Sequence, residues 1–390
     1  MDRYALKAFG ILEDWFRRNP PRQGINWCSS LECAFRIYAL IWTIELFRNI
    51  ELLDDRFAEL VWYYVYHLAD HINSHLSFYF SPHTHLTGEA FGLFLAGLFF
   101  PELNRSEDFM TRGLEILEKE LANQFTEEGA HTELSICYHR YSLDFYMHTI
   151  LLAEINNIPL PSIFREKTEQ MAEYLHKLRR PDGLWPQLGD SDGGKLVWLE
   201  FDDARDCTAS LSNAALLFNR KEFNPGHARF ESAWIFGISA CREHNHKREK
   251  CEQLVSEHIR DAGYAVLRTE DQNSYLLFDC GRFGSKEAAH SHADALSFEL
   301  ILGGEPVFID PGTYCYTKDK GMRNYFRSGA AHNICLVDGR GSADEENIFD
   351  WQYYADAEVQ NVILARYFDF INAGFARRKA PGFQHERAVY

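Results

Sequence analysis

Tyr264-Ala265-Val266-Leu267-Arg268 and Ser274-Tyr275-Leu276-Leu277-Phe278 flank the polar stretch Thr269-Glu270-Asp271-Gln272-Asn273. Two apolar runs about such a turn predict a β-hairpin. Its position divides the chain. Up to about residue 240 the periodicity is helical, and from the hairpin onward it is that of short strands. In residues 54–76, Phe57, Leu60, Val61, Tyr64, Leu68 and Ile72 keep to one face, and Phe109, Gly113, Leu117 and Leu121 do the same in residues 106–125. Residues 31–47, 86–100, 138–155, 163–178, 207–218 and 228–238 read as further helices. They are separated by turn-rich loops such as Arg179-Arg180-Pro181-Asp182-Gly183 and Gly189-Asp190-Ser191-Asp192-Gly193-Gly194. Helix pairs recurring in sequence suggest an α/α toroid or solenoid, although without a strong repeat the periodicity itself supports only an all-α half.

N-terminal to the hairpin, the charged residues 244–257 form a polar connector. We therefore expect a helical domain over residues 1–243, a linker over 244–260 and a β domain over 261–390. Strand candidates follow at residues 296–301, 306–309, 333–337, 353–359 and 362–370, suggesting a sandwich of antiparallel sheets. The final Ala388-Val389-Tyr390 reads as the middle of another strand, so an incomplete β domain is expected.

The 390 residues carry 40 Lys+Arg against 57 Asp+Glu, a net charge of −17. That argues against general nucleic-acid binding, which needs a basic face, but a local cationic cluster could still receive an anion. The longest apolar run, residues 90–100, is too short to span a membrane, and residues 31–47 carry Glu32, Arg36 and Glu45. The opening Met1-Asp2-Arg3-Tyr4 shows no secretory leader. Nine cysteines with no CxxC read as scattered core residues and lean toward a reducing compartment.

Three clusters could carry chemistry. The densest is His290-Ser291-His292-Ala293-Asp294, followed by Ile309-Asp310-Pro311-Gly312 and Ala331-His332-Asn333. Two imidazoles and a carboxylate make a zinc set, and the alternative is a surface histidine pair with a turn-capping Asp. On a strand, His290 and His292 would share a face, one binding metal while the other meets a groove. The second cluster is Ser81-Pro82-His83-Thr84-His85-Leu86-Thr87-Gly88-Glu89, where a polar loop enters an apolar helix. The helix dipole there disfavours imidazolium; the plainer reading is a threonine cap with solvated histidines. The third is His131–Tyr141, in which Tyr138, Tyr141 and Phe145 make one helical stripe beside His139 and Arg140. A cation beside a phenol lowers its pKa and suits it to proton exchange, whereas an ordinary aromatic stripe is core. The glycine-rich segments match neither a phosphate loop nor a dinucleotide fingerprint, and no Gly-x-Ser-x-Gly elbow is present.

In this order, the clusters resemble the heparinase II/III family of polysaccharide lyases. The resemblance rests on His290-Ser291-His292-Ala293-Asp294-Ala295-Leu296-Ser297-Phe298-Glu299-Leu300, Phe308-Ile309-Asp310-Pro311-Gly312-Thr313-Tyr314, Arg323-Asn324-Tyr325-Phe326-Arg327-Ser328 and Ala330-Ala331-His332-Asn333. Asn26-Trp27, Leu31-Glu32, Thr84–Glu89 and Tyr138-His139-Arg140-Tyr141 add to it. It implies an incomplete α/α toroid followed by an antiparallel β-sandwich, acting by β-elimination on a uronic-acid polysaccharide at the interface of the two. By resemblance Tyr138 is the acid/base, His290 shares proton transfer and His85 neutralises the carboxylate. His83 stands near the place where the family commonly has Asn. His292, Asp310 and His332 match the ligands of one structural Zn2+. Arg140, His139, Glu89, Arg282, Tyr325 and Arg327 are expected to bind substrate, and Arg140, Arg282, Lys286, Arg323 and Arg327 to form a positive strip for the polyanion. Heparan-type chains, alginate and bacterial exopolysaccharides are the substrate candidates. The family is often exported in bacteria, so the compartment stays open.

Two alternatives accompany this reading. An α/α-toroid glycoside hydrolase would use paired acids such as Glu89 with Asp190 or Asp192, roughly 5–9.5 Å apart. A non-catalytic zinc-containing glycan-binding protein would be indifferent to Tyr138→Phe.

Overall fold

The computed structural model describes residues 2–50, 54–200, 203–224, 229–246, 253–284, 288–380 and 382–390. Among the described residues, eleven helices precede or interrupt ten strands. The chain divides into two compact units, Met1–Asn123 with His148–Pro161, and Gln124–Met147 with Ser162–Tyr390.

The first unit is helical: α1 (Asp2–Arg18), α2 (Ser30–Phe47), α3 (Asp55–Ser74), α4 (His83–Phe99), most of α5 (Ser106–Gln124) and the end of α6 (Ile136–Ile155). Local signals set the starts. The Ser29 side chain accepts from Glu32 N and that of Asp54 from Phe57 N, each satisfying an orphan N–H of a first turn. Helix α4 is buried from Leu86 to Gly97. Its Gly92 makes the approach to α2 possible, because a Cβ there would lie 2.5 Å from Ala34 Cβ. No described helix is long and apolar enough to cross a membrane.

The second unit holds the start of α6, then α7 (Ser162–Lys177), α8 (Thr208–Phe218), α9 (Phe230–Phe236) and α10 (Ile238–His246). A five-stranded antiparallel sheet follows in sequential order: β1 (Glu257–Ile259), β2 (Tyr264–Arg268), β3 (Tyr275–Asp279), β4 (Phe298–Leu302) and β5 (Glu305–Phe308). The opening hairpin is present, with Tyr264 opposite Asp279 and Arg268 opposite Tyr275. After α11 (Lys320–Arg327), β6 (Ala343–Glu345) pairs with β7 (Trp351–Tyr354), and β8 (Glu358–Ala365), β9 (Phe368–Arg377) and β10 (Phe383–Val389) form a three-stranded sheet. Ala265, Leu267 and Phe278 of one sheet share a buried cluster with Ile371, Ala373 and Phe375 of the other. This is the packing of a sandwich, in which the inward residues of two sheets make one core.

Some expectations need correction. Residues 333–337 form no strand; Val337 bridges only Arg340, and the Asn333 amide donates to the carbonyls of Phe298 and Ile309. The strand expected at 353–359 is broken into β7 and β8, with Ala355 and Ala357 turned into the core. Helix α1 was not anticipated, nor was α11, whose polar sequence hides two buried arginines. Strand β1 lies inside residues 244–260, the stretch read as a linker, and part of that stretch (247–252) lies outside the described residues.

Candidate active site

The site is assembled within the second unit from three segments: the start of α6, the loop 186–194, and the loops of the β region that carry His290, His292, Asp310 and His332. Ser135 joins the first two. Its Oγ accepts from Tyr138 N at 3.3 Å, at the start of α6, and donates to the Asp190 carbonyl at 2.6 Å. Asp190 N in turn donates to the His290 carbonyl at 2.9 Å. Gly189 permits that closeness: it has φ +58°, and a Cβ there would stand 2.8 Å from the His290 carbonyl oxygen. Farther back, Glu299 of β4 accepts from Gln187 N at 2.7 Å and pairs with Arg180 at 2.7 Å, anchoring the loop to the sheet.

On this frame the Tyr138 ring lies 4.1 Å from the His290 ring, tilted by 33°, and the Tyr138 phenol oxygen is 2.7 Å from that of Tyr316. Burial, reinforced by Tyr316 and Asp192, raises the Tyr138 pKa well above the ordinary tyrosine value. The expected lowering by Arg140 is therefore absent. Residues two apart on a helix face different ways, and the Arg140 guanidinium donates instead to the carbonyls of Gly194, Ala204 and Asp206.

Asp190, wholly buried, is the hub. Its Oδ2 is 3.1 Å from His290 Nδ1 and its Oδ1 2.9 Å from His292 Nε2, while Arg323 donates to both oxygens. Burial pushes its carboxyl up, but the hydrogen bonds from His290, His292 and Arg323 outweigh that and hold it far below the usual range. Burial likewise pushes His290 down, and the Asp190 hydrogen bond with the charges of Glu133 and Asp190 brings the net shift upward. His290 and His292 stand on a loop, and both turn to the same carboxylate.

His292, Asp310 and His332 converge, with one donor atom from each within 4.8 Å of the others. His332 Nδ1 is 2.6 Å from Asp310 Oδ2, and its Nε2 is buried with no hydrogen-bond partner. An orphaned imidazole nitrogen, a second imidazole and a carboxylate fit a divalent transition metal, and the donor set suits zinc.

The remaining expectations are redistributed. His83 and His85 occupy the first turn of α4 in the first unit, half-buried. Glu89 is wholly buried there, its carboxylate accepting from Ser77 N at 2.8 Å and Ser77 Oγ at 2.6 Å, so it is not presented to a ligand. Burial pushes its pKa up to about 7. His139 belongs to the core, its Nε2 3.0 Å from the Met171 carbonyl and its pKa pushed down by burial to about 3. Among the described residues, the positive strip does not form. Arg140, Arg323 and Arg327 are all buried, the last lying 3.9 Å over the Trp351 ring. Arg282 and Tyr325 are exposed, and Lys286 lies outside the described residues. Buried guanidiniums answer the internal carbonyls and the Asp190 carboxylate, which a net count of charges cannot reveal.

The sequence offers Asp190 only as a hydrolase acid, holds Glu133 within the third cluster without a role, and gives no sign of Tyr316. A carboxylate set among glycines in Gly189–Gly194 was the available signal for Asp190. The hydrolase pairing loses its basis, because Glu89, common to both versions of it, is wholly buried on Ser77, and Asp190 is wholly buried among two histidines and an arginine.

Helical elements followed by stacked antiparallel sheets, with a tyrosine–histidine pair beside a His/Asp/His set, define the class of chain. Family models for the heparinase II/III N-terminus and the heparinase II/III-like C-terminal region match residues 1–208 and 254–390. The chain belongs to the heparinase II/III family. It is 24% identical over 354 residues to a heparin-sulfate lyase of Pedobacter heparinus, covering 87% of this chain and 49% of that protein. A heparin-sulfate lyase of Bacteroides thetaiotaomicron is 25% identical over 358 residues, covering 86% and 48%. The chain thus spans about half the length of the curated relatives it matches. The crystal structure of heparinase III superposes with a TM-score of 0.77 at 21% identity, covering 100% of this chain and 57% of that one. A mutant heparan sulfate lyase from Pedobacter heparinus gives 0.68 at 22% identity, covering 100% and 56%. The fold class is the one expected, an α/α toroid followed by an antiparallel β-sandwich.

Proposed function

We propose that this chain is the catalytic part of a polysaccharide lyase that cleaves uronic-acid-containing chains by β-elimination. The observation that carries the reading is the contact of the Tyr138 ring with the His290 ring, centroids 4.1 Å apart, with the Tyr138 hydroxyl hydrogen-bonded to Tyr316. The reaction needs a group to take the C5 proton, the C5–H electrons to form the C4–C5 double bond, and a proton for the oxygen leaving C4. Tyr138, held protonated by its surroundings, is suited to protonate the leaving oxygen. His290 shares the transfer as the group that takes a proton at Nε2.

By family resemblance, His85 neutralises the uronate carboxylate, with His83 as a further donor. Exposed Arg282 and Tyr325 remain the substrate-binding candidates. Residues 1–243 serve as the toroid domain and 261–390 as the sandwich domain in this reading. His292, Asp310 and His332 would hold one zinc ion, whose contribution when bound is to fix the loops that carry them. The relatives named heparin-sulfate lyases favour a heparan-type glycosaminoglycan as substrate. The test is ultraviolet absorbance of the unsaturated uronate during incubation with a panel of uronic-acid polysaccharides. A hydrolase or a binding protein produces no such chromophore.

A further inference from the structure

Asp190 faces two histidines with different duties, and the geometry assigns each a proton. An ionised carboxylate accepts only. The contact at 3.1 Å therefore places a proton on His290 Nδ1, and the contact at 2.9 Å places one on His292 Nε2. In the neutral rings this leaves Nε2 of His290 as the basic nitrogen and Nδ1 of His292 as the ligating one. The two histidines are thus held in opposite tautomers by one side chain. Arg323, wholly buried and donating to both carboxylate oxygens, keeps Asp190 ionised and prevents its rotation. Backbone ties reinforce the arrangement, since Asp190 N donates to the His290 carbonyl and its own carbonyl accepts from Ser135 at the start of the Tyr138 helix.

We propose that Asp190 is a positioning residue that couples the His292–Asp310–His332 metal site to the proton-transferring His290 by fixing both tautomers. The role of His290 rests on the lyase reading above; the tautomers and the metal affinity do not. Asp190→Asn supplies one acceptor edge and one donor edge, so one histidine must present a bare nitrogen to the amide. It then loses either the basic Nε2 of His290 or the ligating Nδ1 of His292.

The experiment uses the full chain with histidine ¹⁵N-labelled, loaded with zinc ion at about pH 8, above the ordinary histidine range. Imidazole nitrogen shifts give the tautomers, and His290→Gln and His292→Gln spectra assign the signals. The expected result in the wild-type protein is His290 protonated at Nδ1 and His292 at Nε2. Asp190→Asn is expected to bind zinc about 10–100-fold more weakly, or to lower kcat about 10³–10⁴-fold with KM little changed. A wild-type His290 or His292 in the opposite tautomer overturns the proposal. So does a folded Asp190→Asn protein with zinc affinity and kcat both within about threefold of wild type, a change far short of that expected for such a partner. If Asp190→Asn does not fold, the wild-type tautomers decide alone. If the wild-type chain cleaves no polysaccharide, the lyase reading fails while tautomers and zinc affinity still judge Asp190.

Discussion

The phenol oxygens of Tyr138 and Tyr316, 178 residues apart in the chain, lie 2.7 Å from one another. Tyr316 is itself held between the His290 ring at 6.3 Å and the Arg323 guanidinium at 5.0 Å. The hydroxyl of Tyr138 is thereby aimed by a residue that packs against both the histidine and the cation behind it. Tyr316→Phe removes the aiming hydrogen bond and leaves the ring. We expect a loss of about three- to tenfold in kcat, the effect of one hydrogen bond worth ~1 kcal/mol. Steady-state kinetics on a cleaved polysaccharide checks this; a loss as large as that of Tyr138→Phe would make Tyr316 the proton donor instead.

Metal removal has a thermodynamic signature. If His292, Asp310 and His332 hold zinc in the folded chain only, free ion at about 1,000 times its Kd stabilises by about 4 kcal/mol. Adding zinc to chelator-treated protein should raise Tm in a concentration-dependent way, and His332→Ala should abolish both the shift and stoichiometric zinc. An undiminished zinc content in His332→Ala would remove this residue from the site.

Glu89 predicts a pH dependence of stability. Burial raises its folded pKa from an ordinary 4.5 to about 7. A carboxyl raised on folding contributes its full stability below the unfolded pKa and loses it as pH rises through the folded one. The first unit should therefore weaken between pH 4.5 and about 7. Glu89→Gln keeps the shape without the charge, and should unfold at higher denaturant concentration than wild type at pH 8, by roughly 3 kcal/mol. Denaturant titrations at pH 5 and pH 8 measure the difference; a variant equally weakened at both would show that Ser77 gains more from the carboxylate than burial takes away.

Much of this was legible in the chain. The alternation about Thr269–Asn273 announced β2 and β3, and the helical periods announced α2 to α8 to within a few residues. The histidines and Asp310 were legible because few residue types can serve as ligands. What escaped was everything that depends on which side chain meets which across the fold. Arg140 and Arg327 read from the sequence as groove cations, because a sequence does not say that a guanidinium will face Gly194 or Trp351. Asp190 escaped for the same reason, its partners being 100, 102 and 133 residues away. Helix α11 escaped because it is only eight residues long and its polarity is inverted, Arg323 and Arg327 being buried while Met322 and Tyr325 are exposed.

Two glycines separate close packing from helix propensity. Gly92→Ala places a methyl 2.5 Å from Ala34 Cβ and 2.9 Å from Ala34 Cα, so α2 and α4 must move apart. A loss of about 1–3 kcal/mol is expected. Gly10 of α1 has nothing within 4 Å of its added Cβ, and Gly10→Ala should gain about 0.5–1 kcal/mol from helix propensity. Thermal unfolding of the two variants should shift in opposite directions; a shared direction would contradict the contact at Ala34.

The central claim is elimination by the Tyr138–His290 pair, and product absorbance tests it most directly. Wild-type protein, zinc-loaded and folded, is incubated with heparan-type and other uronic-acid polysaccharides beside Tyr138→Phe. The predicted result is an ultraviolet rise from the unsaturated uronate with at least one polymer, reduced about 10²–10⁴-fold in the variant. A rise of equal rate in Tyr138→Phe, or cleavage by the wild type without any chromophore, would contradict it.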